Sequence, residues 1–598
     1  MTSATRCTLL PLARTGRFAI AVTFALLGPV SLWSAAPPPP AGARPNVLIV
    51  LVDDAGYGDF SCHGHPFLRT PQIDRLHAES VRLTDFHAAP MCSPTRGQLL
   101  TGVHGLRTGV TSVTAARTFL RPEFATAPQL FAAAGWRTGI FGKWHLGDSY
   151  PHRPMDKGFQ TAVWLRGWGF TSAPEFSNTL IAGTVQRGEK AEKFPGYITD
   201  FCFDEAMAWM RGRQAKSEPF FCYLPLNAAH APHTVPEKYL APFAGKPAPA
   251  FFGMMANLDE NMGRLDAFLR ETGLRENTIV IFMTDNGATA GANVFNAGLR
   301  GRKTMYYEGG HRVPCFIRWP AGGLRTAGDV AAVTHVQDVL PTLLEFAGMA
   351  KPAGPDIDGL SLAPLLRGKT DTLPDRTIVV QYGPGAGAKD TSGPKKFQSA
   401  VLWNQWRLVH GTELYDVNAD RGQAHDLAAA HPEIVADLRR RYEVWWSTVA
   451  PRLDEFVPVS LGAAAQNPVL LTSSDWQDAY ADNSNHVRNA VGGPRGGPWN
   501  VHIERAGDYE IALRRWPFDL DAPLDGNITP PGKALPIAAA KLTVAGRQLT
   551  TPAAARAREV VFRTSLPVGR TQLQAWFQDA DGRDVCGAFF VKVTRRDL

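Results

Sequence analysis

Beyond its N-terminal apolar segment, this 598-residue chain has no run long and apolar enough to span a bilayer. It also has no basic cluster interleaved with aromatics. The first absence implies a soluble mature chain, and the second removes nucleic acid as a partner. Cysteine is sparse and scattered, at 7, 62, 92, 202, 222, 315 and 586. Such gaps carry no disulfide framework and no zinc-ligand spacing. Cys202 and Cys222 can pair in an exported protein, but nothing in their spacing fixes it. Long polar tracts are missing too. With 44% hydrophobic and 20% charged residues the composition is globular. At this length two or three units are expected rather than one core.

What is present begins with an export signal. Arg6, Arg14 and Arg17 form a positive region, Phe18 to Trp33 is apolar and broken at Gly28-Pro29, and Ser34-Ala35-Ala36 offers a cleavage site. A membrane anchor would need a longer, unbroken run. The reading is a signal peptide over 1–36 and a stiff Pro-rich linker over 37–44. The mature protein is then periplasmic or secreted, with no membrane association. Cleavage removes three arginines and no acid, so the formal charge falls from +7 to a mild +4.

Asn46 to Val52 is a continuous apolar, β-branched run that ends in Asp53-Asp54. Thr278 to Thr284 repeats the pattern and ends in Asp285-Asn286. Such strands are buried on both faces of a parallel sheet. Helical stretches between them, Phe201 to Met210 and Met254 to Leu269, complete an α/β pattern with a mainly parallel sheet core flanked by helices. Ligands in such sheets gather beyond the carboxyl ends of strands, where both acidic pairs fall. Ala400 to Val409 and Glu413 to Val417 read as paired strands, before a helix that His431-Pro432-Glu433 starts and Trp445-Trp446 closes. From Phe456 no long helix interrupts the strands. Trp499 to Glu504 turns at Ala506-Gly507-Asp508 into Tyr509 to Trp516. Lys541 to Val544, Glu559 to Arg563, Gln572 to Phe577 and Gly587 to Val593 add to what reads as a β-sandwich. Its Trp476, Trp499, Trp516 and Trp576 are expected mostly in the core, though each offers a face to a sugar ring.

One short segment carries the chemistry. Cys92-Ser93-Pro94-Thr95-Arg96 opens a helix that Gly102 closes. A thiol there, beside the Arg96 cation, is placed to be reactive. With Leu100-Thr101-Gly102 the segment resembles the first motif of the sulfatase family. Gly135-Trp136-Arg137-Thr138-Gly139 through Gly142-Lys143-Trp144-His145 resembles the second. The resemblance runs from Asn46 to Trp445-Trp446 and leaves the last part of the chain uncovered.

The resemblance implies that Cys92 is oxidised to formylglycine by a formylglycine-generating or sulfatase-maturing enzyme. One hydroxyl of the aldehyde hydrate attacks sulfur, and the other lets sulfate leave. Asp53, Asp54, Asp285 and Asn286, with Cys92 as formylglycine, would bind a divalent cation. Three carboxylates and an amide suit Ca²⁺ better than Mg²⁺. Unpaired carboxylates at two strand ends would repel, and a cation resolves this. Lys143 and His145 lie two apart and face one way on an extended segment. By resemblance Lys143 contacts sulfate and formylglycine, and His145 deprotonates the diol. His230 meets the leaving oxygen, with His233 its neighbour and competitor. Lys303, flanked by Arg300 and Arg302, contacts sulfate, and Arg96 holds the formylglycine hydroxyl and charge near the metal. Cations around SO₃ stabilise charge moving to the leaving oxygen.

The implied domains are a catalytic α/β unit over 45–375, a small antiparallel α+β subdomain over 376–455 and a C-terminal β-sandwich over 456–598. The expected activity is hydrolysis of sulfate esters on a small molecule or, given export and the sandwich, on a glycan. Two other readings are a phosphonate or phosphate ester hydrolase on the same core, and a carbohydrate-binding protein with an inactive core. The intact Lys143, His145, His230 and Lys303 set favours sulfate. The loops 165–196 and 383–396 carry no specificity message in their sequence.

Overall fold

A computed structural model describes residues 44–383, 393–489, 495–526 and 532–596. The expected signal peptide and nearly all of the expected linker lie outside the described residues, as does most of the 383–396 loop. Five parallel strands form the centre of a ten-stranded sheet, in the order Thr278–Thr284, Asn46–Val52, Phe220–Pro225, Arg137–Lys143 and Thr161–Leu165. Cys315–Arg318 runs antiparallel beside Thr278–Thr284, and Thr184–Arg187 runs antiparallel beside Thr161–Leu165.

The apolar runs alternate between two cores. Leu48, Val50 and Val52 point to the side covered by helices Ile198–Gln214 and Pro249–Glu271. Val47, Ile49 and Leu51 point to the side covered by Cys92–Thr101, Ala127–Ala133 and Val339–Phe346. Burial on both faces is why these strands show no polar alternation. Each fully buried Leu, Ile or Phe contributes about 1.5–3 kcal/mol. Cys202 and Cys222 both sit in the first core, and all six described cysteines are free thiols. The Cys202–Cys222 pairing is therefore not formed.

A second sheet of four antiparallel strands follows: Ile378–Val380, Ala400–Trp403, Trp406–Val409 and Glu413–Asp416. The expected single strand over 400–409 is a hairpin, because the chain turns at Asn404-Gln405 with Asn404 at φ 49°. One face of this sheet packs on helix Pro432–Val449, which runs three residues past Trp446. The other face packs on Met91, Cys92 and Tyr306. The small sheet thus closes the space behind Cys92.

The remaining strands form two sheets around one core. Here two sequence expectations fail. Trp499–Ile503 and Gly507–Arg514 are not a hairpin. The first pairs with Val459–Leu461 and Gly569–Gln578, and the second with Val560–Leu566 and Phe590–Arg595 in the opposite sheet. The turn at 504–506 is an arch between sheets, invisible to a pattern that reports alternation but not partner. The expected strand over 587–593 likewise divides, Asp584–Gly587 lying in one sheet and Phe590–Arg595 in the other. Trp476, Trp499 and Trp516 are fully buried, while Trp576 is half-buried. Among the described residues no helix is long and apolar enough to cross a membrane.

Candidate active site

The carboxyl ends of four adjacent parallel strands converge. Asn46–Val52 delivers Asp53 and Asp54, and Thr278–Thr284, in register with it, delivers Asp285 and Asn286. Arg137–Lys143 ends on Lys143, and the chain leaving Phe220–Pro225 reaches His230. Helix Cys92–Thr101 points its first residue, Cys92, at the same place, and ends at Gly102 with φ 68°. Close approach of the strands requires Gly142, where a Cβ would lie 2.0 Å from the Pro225 carbonyl oxygen.

Three carboxylates face three cations. Lys143 Nζ is 2.5 Å from Asp53 Oδ2, and Lys303 Nζ contacts Asp54 Oδ1. Arg96 donates to Asp285 Oδ2 at 2.9 Å and lies 3.4 Å from Asp53 Oδ2. It also donates to the Lys143 carbonyl at 2.6 Å. Asn286 donates to Asp54 Oδ1 at 3.0 Å, and the Asp54 N–H to Asp285 Oδ1 at 3.3 Å. The acids expected to be unpaired are thus paired. Two oxygens stay bare: Asp53 Oδ1 and Asn286 Oδ1 are buried without a hydrogen-bond partner. Burial and the adjacent Asp53 push the Asp285 carboxyl up to about 7. Burial has the same tendency at Asp53 and Asp54, but Lys143 at the first and Lys303 at the second, each aided by His230, outweigh it and hold both below the usual range. One ligand atom each from Asp53, Cys92 and Asp285 lies within 4.8 Å of the others. Asp53, Asp54, Asp285 and Asn286 offer oxygens only, two of them bare, and that set fits a hard divalent cation.

Cys92 Sγ is 3.4 Å from His145 Nδ1. Burial pushes the thiol up, and Lys143 and Lys303 offset this only in part. The expected reactive thiolate is therefore not favoured. Arg96 sits one helical turn on and is committed to the acids. His145 also departs from the extended segment expected for it. Lys143 ends its strand, Trp144 turns into the core, and His145 has φ 59°. The two side chains still converge, but through a bend rather than strand periodicity.

His230 Nε2 is 3.7 Å from Asp54 Oδ2, and burial lowers its pKa to about 4 against the pull of Asp54. His233 instead sets its ring edge-on to Phe251. Arg300 is held by Tyr415, the Gln423 carbonyl and the ring face of Tyr307. Arg302 is exposed and, with Lys303, borders an open cleft of about 340 Å³.

Two features escaped sequence reading. Trp168 lies with its ring 5.4 Å from that of His230. Behind the site, Arg407 joins Asp85 and Glu308, while His87 bonds Asp85 on one side and His311 on the other, and His311 bonds the Tyr306 carbonyl. The sole local signal was Glu308-Gly309-Gly310, because the partners lie up to 322 positions apart.

Helix, strand ends and acid–cation cluster together form a buried, charged site at the carboxyl edge of an α/β sheet. A family model described as Sulfatase matches residues 45–349. N-acetylgalactosamine-6-sulfatase of Homo sapiens is 32% identical over 403 residues, covering 62% of this chain and 74% of that protein. Steryl-sulfatase of Mus musculus is 31% identical over 442 residues, covering 58% and 69%. The crystal structure of Ps i-CgsB in complex with k-i-k-neocarrahexaose superposes with a TM-score of 0.60 at 24% identity, covering 69% of this chain and 99% of that one. The structure of BT4656 in complex with D-glucosamine-2-N,6-O-disulfate gives 0.57 at 20% identity, covering 69% and 99%. The chain belongs to the sulfatase family and is a sulfuric ester hydrolase.

Proposed function

We propose that this enzyme removes sulfate from a sulfated carbohydrate, with formylglycine made from Cys92 by a maturing enzyme and Ca²⁺ bound beside it. The observation that carries the reading is the meeting of Cys92, Asp53 and Asp285 within 4.8 Å, next to the bare oxygens of Asp53 and Asn286. Asp53, Asp54, Asp285 and Asn286 would hold the cation, which supplies positive charge to the sulfate oxygens and the nucleophile. Three carboxylates already balance Arg96, Lys143 and Lys303, so a dication provides the net positive charge an anionic ester needs. The formylglycine hydrate supplies one hydroxyl for attack and a second for release of sulfate.

The chain's own groups do the rest. His145 carries its Nε2 proton toward the Val113 carbonyl at 3.2 Å and turns a bare Nδ1 to the residue at 92. That nitrogen takes the proton when the hydrate collapses. His230 and Lys303, on the open side, meet the sulfate, and the Lys303 ammonium is the one that carries a proton for the departing oxygen. Lys143 and Arg96 fix the inner charge. A carbohydrate substrate is supported by the relative named for N-acetylgalactosamine 6-sulfate and by the saccharides bound in fold neighbours. Export through residues 1–36, and a division at about 375 and 455, belong to the same reading.

Peptide mass spectrometry across Cys92, paired with turnover of sulfated saccharides and 4-nitrophenyl sulfate, tests it. Replacing –CH₂SH by –CHO lowers the mass by about 18 Da, the atom balance of the covalent route. Full turnover with sulfur retained at 92 overturns the nucleophile, and cleavage of the aryl ester alone overturns the carbohydrate.

A further inference from the structure

We infer that residues 166–173 and 482–484 together build a sugar-ring subsite, in which Trp168 is the stacking wall and the C-terminal sandwich is the brace that holds it. This rests on the carbohydrate reading above. His230 stands with Lys303 on the partly open side of the acid–cation cluster, and the half-buried ring of Trp168 leans on it at 5.4 Å and 40°. A group esterified through the oxygen at His230 therefore meets the Trp168 ring next. Pyranoses present apolar C–H faces, which stack on aromatic rings, whereas a flat apolar slot would be needed for a sterol.

The loop is fixed at both ends and from both halves of the molecule. The Gly167 N–H donates to Asp148 Oδ2 at 2.8 Å, and Arg166 bonds Glu175 at 3.1 Å. Gly169 has φ 108°, and a Cβ there would lie 2.4 Å from Asn227 Oδ1, so only glycine lets the turn lie against the segment leading to His230. From the sandwich side, Ala173 N–H donates to the Asp482 carbonyl at 2.7 Å, and Ser484 N–H to the Thr171 carbonyl at 2.8 Å. Ser172 and Asn483 form an antiparallel bridge, and Ser484 Oγ donates to the Thr171 carbonyl at 3.0 Å. Ala173 is buried in the sandwich core itself. The sandwich is thus a part of the active-site wall rather than a detached module.

Two full-length variants test the wall and the brace separately. Trp168→Ala removes the ring. Ser484→Pro removes both bonds to Thr171 while suiting the first turn of helix Ser484–Asn489 and its extended predecessor. The substrates are N-acetylgalactosamine 6-sulfate and D-glucosamine 2-N,6-O-disulfate, and the inhibition constant of inorganic sulfate reads the charged cluster alone. Both variants are expected to raise KM for the saccharide by about tenfold or more, the scale of one lost aromatic contact. The kcat and the sulfate inhibition constant stay within about twofold, and Trp168→Phe recovers most of the loss. Unchanged KM in Trp168→Ala overturns the wall, and unchanged KM in Ser484→Pro overturns the brace. A parallel loss of sulfate inhibition makes the residues structural and also overturns the proposal. Wild-type protein that cleaves 4-nitrophenyl sulfate but neither saccharide removes the carbohydrate reading itself, an outcome seen before any substitution is made.

Discussion

His145 Nδ1 lies 3.4 Å from the sulfur of Cys92, and its other ring nitrogen faces the Val113 carbonyl at 3.2 Å. A carbonyl oxygen accepts only, so Nε2 carries the proton and Nδ1 is the lone-pair nitrogen. Burial, with Lys143 and Arg96 adding to it, holds the imidazole well below its ordinary pKa and hence neutral. His145→Gln should lower kcat by about 10²–10⁴-fold, the usual share of one proton-transfer group. Steady-state kinetics on the best saccharide would check this, with little change in KM expected.

Chelation of the proposed Ca²⁺ should abolish turnover and lower the melting temperature, both restored by adding Ca²⁺. A ligand at 100 times its Kd stabilises by about 2.7 kcal/mol. Asp285→Asn, which removes one of the converging carboxylates, should weaken Ca²⁺ binding in calorimetric titration. Unaltered calcium affinity in that variant would remove Asp285 from the ligand set.

Arg407 is fully buried and gives Nη2 to both Asp85 oxygens at 2.9 Å and Nε to Glu308 at 2.8 Å, while Nη1 donates to the Asn404 carbonyl. Arg407→Ala leaves Arg312 as the one remaining arginine against both acids and should cost about 3 kcal/mol, the low end for a broken buried pair. Denaturant titration reads the loss directly.

Asp59 is buried with one oxygen bonded to the Gly56 N–H at 2.8 Å and the other bare. Burial, opposed only by that one bond, pushes its carboxyl up to about 7. Its folded pKa thus exceeds the unfolded value near 4. The contribution to stability is full below about pH 4 and is lost as pH rises toward 7. Asp59→Asn keeps an acceptor for Gly56 and cannot ionise. Its melting temperature relative to wild type should therefore climb by a few degrees between pH 5 and pH 8, measured by thermal melts across that range.

Runs with a local physical signature were legible in the sequence. Val47, Ile49 and Leu51 with Leu48, Val50 and Val52 announced a strand buried on both faces, and the acids after it announced the edge where the site lies. Cys92 and Gly102 marked both ends of one helix. Partner choice was not legible. Gly507–Arg514 alternates as well for one sheet as for the other, so the arch at 504–506 left no trace. Trp168 and Arg407 depend on neighbours 62 to 322 positions away, which no local period encodes. His145 reached its place through a positive φ uncommon outside glycine, against the straight segment that spacing alone implies.

Strand Phe590–Arg595 lies between Val469–Thr472 and Gly507–Arg514, so the second sheet of the sandwich has a gap at its middle until that segment is synthesised. Among the described residues, Val469–Thr472, the strand just before the 482–484 segment, joins the rest of its sheet through Phe590–Arg595 alone.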